Sequence, residues 1–220
     1  MDKVMDIKEA IKDIRDGDTL MIGGFMANGA PEKLIDALIE QGVKDITLIS
    51  SDTGMITTGS GKLIARKLIK KLYASHIGTN KETGRQMNEG ETDVELVPQG
   101  TLAERIRAGG YGLGGFLTET GVGTLVEEGK QKITVEGVEY LLETPLTADY
   151  ALIHAAKADR NGNLVYQGST NNFSNVMASA AKVTIVEADE VVENGELDPN
   201  FVHTPGVFVN RIVDGGAVNG

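Results

Sequence analysis

Residues 19–42 read TLMIGGFMANGAPEKLIDALIEQG, and the architecture follows from this stretch. Thr19–Ile22 is a short apolar run stopped by glycine, the pattern of a buried strand. Pro31 suits the first turn of a helix, and Leu34, Ile35, Leu38 and Ile39 fall on one helical face before Gly42 ends it. In open α/β sheets, ligands collect at the carboxyl ends of strands, where loops meet helix N-termini. Gly23 and Gly24 let the backbone approach a ligand, and the start of the helix offers N–H groups to an anion or oxyanion. Asn28 can hydrogen-bond there, and Gly29 can turn the chain. An ordinary βα turn explains the same residues, so both readings stand at this level. A P-loop does not, because no Lys-Ser/Thr pair follows the second glycine.

The alternation continues outward. Ile7, Ala10, Ile11 and Ile14 form an amphipathic stripe, with Asp6 placed to cap the helix and Gly17 to stop it. Downstream, strands are expected at 46–50, 72–77, 94–97, 151–155 and 182–187. Helices are expected at 62–70, 101–108 and 173–181, and a hairpin at 132–143 turning on Glu136-Gly137. Strands alternating with helices imply an α/β fold with a largely parallel sheet. No linker divides the chain, so one domain over 1–220 is expected, with 215–220 as a frayed tail.

At 220 residues with 40% hydrophobic content the chain can build a substantial core. A formal charge of −11 speaks against nucleic acid or an anionic membrane as partner. Without cysteine there is no disulfide, thiolate metal site or cysteine nucleophile. The charged N-terminus lacks an apolar stretch of signal-peptide type, and no run approaches the ~20 apolar residues of a membrane span. A cytoplasmic location is the expectation. His76, His154 and His203 have no metal-ligand spacing and read as structural.

A second glycine-rich segment, VPQGTLAERIRAGGYGLGGFLTETGVGT, covers 97–124. Gln99 sits at its turn, and Thr101 with Glu104 reads as a capping box for the following helix. Locally, Gln99 is either a turn residue or a functional amide, and Glu104 is a cap before it is a catalytic acid. Two patterns are decoys. Residues 110–115 satisfy G-x-G-x-x-G but follow a helix instead of a strand. Gly59-Ser60-Gly61-Lys62 resembles the end of a Walker A loop, yet Ile56 stands where the first glycine belongs; it reads as a helix start.

GGFMANGAPEKLI, ASHIGTN, VPQGTLAERIRAGG, GGFLTETGVGT and GELDPNFVHTPGVFVNRIV occur in the order and spacing of α subunits of family I CoA-transferases of the acetate/acetoacetate type. The chain resembles these over roughly residues 5–213. The resemblance implies a three-layer αβα fold and ping-pong transfer of CoA between an acyl-CoA and a short-chain carboxylic acid. A glutamate nucleophile would sit in a Ser-Glu-Asn-Gly motif on a β subunit, in an α2β2 assembly. It further implies that Gly24, Phe25, Met26, Ala27, Asn28, Gly29 and Ala30 line the CoA or acyl group, and that Gln99 holds the carbonyl oxygen. A neutral amide suits that role, because oxyanion charge develops at each tetrahedral step. CoA is then a substrate; no cofactor or metal is implied.

Glu193-Asn194-Gly195 imitates part of the nucleophile motif, but Val192 replaces its serine and the flanking sequence is of α type, so Glu193 reads as a solvated turn residue. The carboxylates of this chain are not read as nucleophiles, and Glu104 stands first among them as an alternative. The chain departs from the family pattern at Glu119, Tyr111 and residues 170–175, which leaves the acid substrate open. The competing reading is a related α/β sugar-phosphate isomerase or a metabolite-binding regulator, which the same glycine loop would serve.

Overall fold

The computed structural model describes residues 2–216. Strand β1 (Thr19–Ile22) alternates strictly. Leu20 and Ile22 enter one core cluster with Leu34, Ile35 and Leu38 of helix α2 (Glu32–Gln41), and Met21 enters the other. That period of two makes β1 a central strand covered on both faces. It lies parallel to β2 (Ile46–Ile49) and to β8 (Ala148–Asp159). Beyond β2 come β3 (Ile69–Ala74) and β4 (Asp93–Leu96). Beyond β8 come β10 (Ala181–Val192) and β11 (Arg211–Asp214). All these pairs are parallel; only the two-residue β9 (Leu164–Val165) runs antiparallel, against β8.

Helix α1 (Ile7–Ile11), α2 and α3 (Gly61–Ala65) supply one core layer. Helix α5 (Gln99–Gly110) and α6 (Ser174–Ser179) supply the other, through Leu102, Ile106, Met177 and Ala178. The three-layer αβα expectation holds. Residues 116–143 form a separate antiparallel sheet, β5 (Phe116–Thr118), β7 (Val138–Glu143) and β6 (Lys132–Val135), in that order. Its hairpin turns on Glu136 and Gly137 at φ 51° and 84°, as the sequence predicts. No helix among the described residues is long and apolar enough to cross a membrane.

Several boundaries differ from expectation, each for a physical reason. The helix expected at 62–70 stops at Ala65: Lys67 turns left-handed at φ 56° and Ile69 pairs with Ile46, so the apolar pair Leu68-Ile69 that mimicked a helical stripe opens a strand. β3 therefore starts and ends earlier than 72–77. Helix α4 (Lys81–Asn88) is absent from the sequence reading because its buried face is Thr83 and Gln86, which leaves no apolar stripe to detect. Its cap is Asn80, which accepts from Glu82 N–H at 3.1 Å. β8 and β10 each extend to twelve residues by pairing with one another along most of their length, and β11 covers the outer edge of β10 unanticipated. α6 is shorter at both ends than 173–181. At the tail, Gly215 N–H donates to Ala188 O at 2.7 Å, while residues 217–220 lie outside the described part.

Candidate functional site

The sheet has its topological switch between β1 and β8. From β1 the chain proceeds to β2 on one side, and from β8 to β10 on the other. The crevice at the carboxyl ends of these two strands is where such sheets bind ligands. Residues 23–31 fill its mouth. Gly23 N–H donates to Leu152 O of β8 at 3.0 Å, and a Cβ at Gly23 would come within 2.7 Å of Ser174 Oγ. Phe25 and Asn28 then exchange backbone hydrogen bonds at 3.1 and 2.9 Å, closing a tight turn with Met26 and Ala27 at its tip. Both tip residues are left-handed, φ 53° and 66°, at a cost of roughly 1–2 kcal/mol each for a residue with a Cβ.

Three side chains from outside the loop hold it. Asp52, just past β2 and only 3% exposed, accepts from Met26 N–H at 2.7 Å through one oxygen and from Gly54 N–H at 2.8 Å through the other. Asn172, between β9 and α6, accepts from Gly24 N–H at 3.1 Å and donates to Asn28 O at 3.1 Å. Glu187 of β10 reaches the start of α2, where its Oε2 accepts from Lys33 and Leu34 N–H at 2.9 and 3.0 Å. Burial pushes the Glu187 carboxyl above the ordinary carboxylate range, partly opposed by those two N–H groups and by nearby His154 and Lys33.

The Glu187 contact corrects the sequence reading of the helix terminus. Pro31 stands at the N-cap with no side chain to offer, and the N–H groups expected to await a ligand are already taken by the protein's own carboxylate. Within 23–30, the N–H groups of Gly23, Gly24, Phe25, Met26, Asn28 and Ala30 all have protein acceptors. Among the described residues, those of Ala27 and Gly29 have none.

Gln99 lies farther along the same rim, in the first turn of α5 above β4. Its Nε2 donates to Ser51 Oγ at 3.2 Å and its Oε1 accepts from Ser75 Oγ. Ser51 precedes Asp52, so a continuous polar path runs from the glycine loop through Asp52 and Ser51 to Gln99 across the ends of consecutive strands. Phe25, Met26, Met55 and Ile56 are exposed beside it, on two loops that touch where Gly59 approaches Ala27.

A family profile described as "Coenzyme A transferase" matches residues 4–215. The chain belongs to the coenzyme A transferase family. It is 56% identical over 211 residues to the acetate CoA-transferase subunit alpha of Escherichia coli, covering 96% of each chain. It is 55% identical over 199 residues to the acetoacetyl-CoA:acetate/butyrate CoA transferase alpha subunit of Clostridium acetobutylicum, covering 90% of this chain and 91% of that one. The fold matches an acyl-CoA transferase of Escherichia coli, solved as a thioester complex with CoA, with TM-score 0.86 at 22% identity; 97% of this chain spans 47% of that one. The chain is thus the α-type subunit of a CoA-transferase.

For a CoA-transferase subunit, the residues excluded by sequence are informative too. Thr101 and Glu104 form no capping box: α5 starts two residues earlier, Thr101 Oγ1 is buried without a partner, and Glu104 pairs with Arg107 at 2.6 Å. Residues 110–115 run from the last residue of α5 into strand β5, a geometry no dinucleotide fingerprint has. Glu193 is an exposed turn residue facing Arg160. His154 Nε2 lies 2.9 Å from Asp189 Oδ1, and His203 Nδ1 accepts from Tyr166 N–H at 2.9 Å. Ser51, Asp52, Ser75 and Glu187 escaped the sequence reading, and Asn172 figures there only as part of the departing segment 170–175, without a role. The polar run Ser50-Ser51-Asp52 directly after a strand was a usable signal, as was one carboxylate inside the apolar VTIVEA of β10.

Proposed function

We propose that this chain is the α half of a heteromeric CoA-transferase that moves CoA between an acyl-CoA and acetate, butyrate or acetoacetate, in a cytoplasmic α2β2 assembly. A glutamate of the β subunit attacks the thioester carbonyl, giving an acyl-glutamyl anhydride and CoA thiolate. The thiolate then attacks the glutamyl carbonyl, releasing the free acid and leaving a glutamyl-CoA thioester. The incoming acid reverses both steps. In this reading Gly24, Phe25, Met26, Ala27, Asn28, Gly29 and Ala30 line the CoA–acyl junction, and Gln99 donates to the carbonyl oxygen as it becomes an oxyanion.

The observation that carries the reading is the shared rim. Gln99 and the glycine loop are linked through Ser51 and Asp52 at the sheet's carboxyl edge, and among the described residues the Gln99 amide nitrogen donates to Ser51 alone. Uncommitted N–H groups at Ala27 and Gly29 support it further. Two measurements test it. The purified chain alone is expected to show no acetyl-CoA:acetoacetate exchange, and activity is expected on co-expression with a β subunit; robust exchange by the lone chain would place the nucleophile here. In the assembled enzyme, Gln99→Ala is expected to lower kcat by about 10²-fold or more. Turnover within a few-fold of wild type would remove Gln99 from the oxyanion role.

A further inference from the structure

Asn172 touches the glycine loop at both ends of its turn. Its Oδ1 accepts from Gly24 N–H at 3.1 Å and from its neighbour Phe173 N–H at 2.7 Å. Its Nδ2 donates to Asn28 O at 3.1 Å, Ser169 O at 3.2 Å and Thr170 O at 3.1 Å. The orientation of the amide is therefore determined: a flip would set NH2 against two donors and the oxygen against three carbonyls. Gly24 and Asn28 flank the left-handed tip at Met26 and Ala27, so a single amide spans the base of the turn. A second strut lies alongside, with Asn28 Nδ2 donating to Ser169 Oγ at 2.6 Å. Gly29 sits so close to Thr170 that a Cβ would fall 2.7 Å from its carbonyl oxygen.

This contact is held against backbone preference. Asn172 has φ 22° and ψ −110°, outside the regions an L-residue prefers, and the turn whose base it spans carries two left-handed non-glycine residues, Met26 and Ala27. Strain of this kind persists only where the surroundings over-determine it. Glycine would relieve the backbone at 172 and remove the amide. Aspartate would keep the shape and the acceptor, but would set an anion against the carbonyls of Asn28, Ser169 and Thr170.

We propose that Asn172 is a positioning residue for CoA transfer: its amide locks the Phe25–Asn28 turn in the left-handed form that leaves the Ala27 and Gly29 N–H groups uncommitted for the substrate. This rests on residues 24–30 being the substrate-facing loop, as proposed above. The test uses the assembled two-subunit enzyme carrying Asn172→Gly or Asn172→Asp, with kcat, KM for acetyl-CoA, melting temperature and amide hydrogen exchange of residues 24–30 measured together. For Asn172→Gly the melting temperature is expected to move by only a few degrees, while exchange in 24–30 accelerates and kcat falls about 10²-fold with a smaller change in KM. Asn172→Asp is expected to lose as much activity despite its matching shape. If both variants keep wild-type exchange and kcat, or if kcat falls with exchange unchanged, the positioning role is overturned. Faster exchange with undiminished kcat would leave the clamp standing and overturn the substrate role of the loop. Should Asn172→Asp fail to assemble, Asn172→Gly alone decides between these outcomes.

Discussion

Asp52 and Glu187 are buried carboxylates that receive backbone N–H groups: Asp52 holds the tip of the glycine loop, and Glu187 holds the first turn of the helix that follows it. Asp52→Asn places an amide NH2 against one of two backbone donors, the buried Gly54 N–H or the half-buried Met26 N–H, so a loss of about 1–3 kcal/mol is expected, read as a lower denaturant midpoint. Glu187 carries a pH signature. Its folded-state carboxyl is raised mainly by burial, so between the unfolded and folded pKa the native state holds more protons than the unfolded one, and stability falls as pH rises through that window. Relative to wild type, Glu187→Gln is therefore expected to gain in melting temperature as pH climbs from the ordinary carboxylate range. A difference that stays flat with pH would remove Glu187 as a titrating contributor. The loop itself was legible in the sequence because glycines and proline mark it; its supports were not, since hydrogen bonds across 26, 148 and 153 positions of chain leave no local pattern.

The secondary-structure elements were readable where burial is one-sided and apolar. The βα unit at 19–41, the hairpin at 132–143 and the core of α5 all follow their periodicity. α4 did not, because its stability comes from a cap and polar burial: Asn80 accepts from the helix start and donates to Thr53 O at 3.0 Å, while Gln86 donates to Ile64 O at 2.8 Å. Asn80→Ala is accordingly expected to cost about 1–2 kcal/mol, measured by chemical denaturation. The hairpin offers the opposite change. Glu136 occupies a left-handed position at φ 51° where asparagine is preferred, so Glu136→Asn is expected to stabilise by up to about 1 kcal/mol. An unchanged or lower melting temperature would show that the turn is not limiting.

In the whole molecule, two apolar layers share one sheet, and β1 supplies alternate residues to both. Neither layer can be exposed without stripping the other, so the chain is expected to unfold as one unit, with calorimetric and far-UV transitions coincident. A resolved second transition would divide it into domains. The fold class, the central βα unit, the family and the segments around the glycine loop and Gln99 were determined by the sequence alone, because periodicity, turn residues and ordered motifs are local properties that survive without coordinates. Only the tertiary structure decided that the two segments share one rim, that Glu187 closes the α2 terminus to outside anions, and that Asn172 and Asp52 hold the loop. Those facts depend on strand order, which brings together residues far apart in the chain and is written in no single stretch of it.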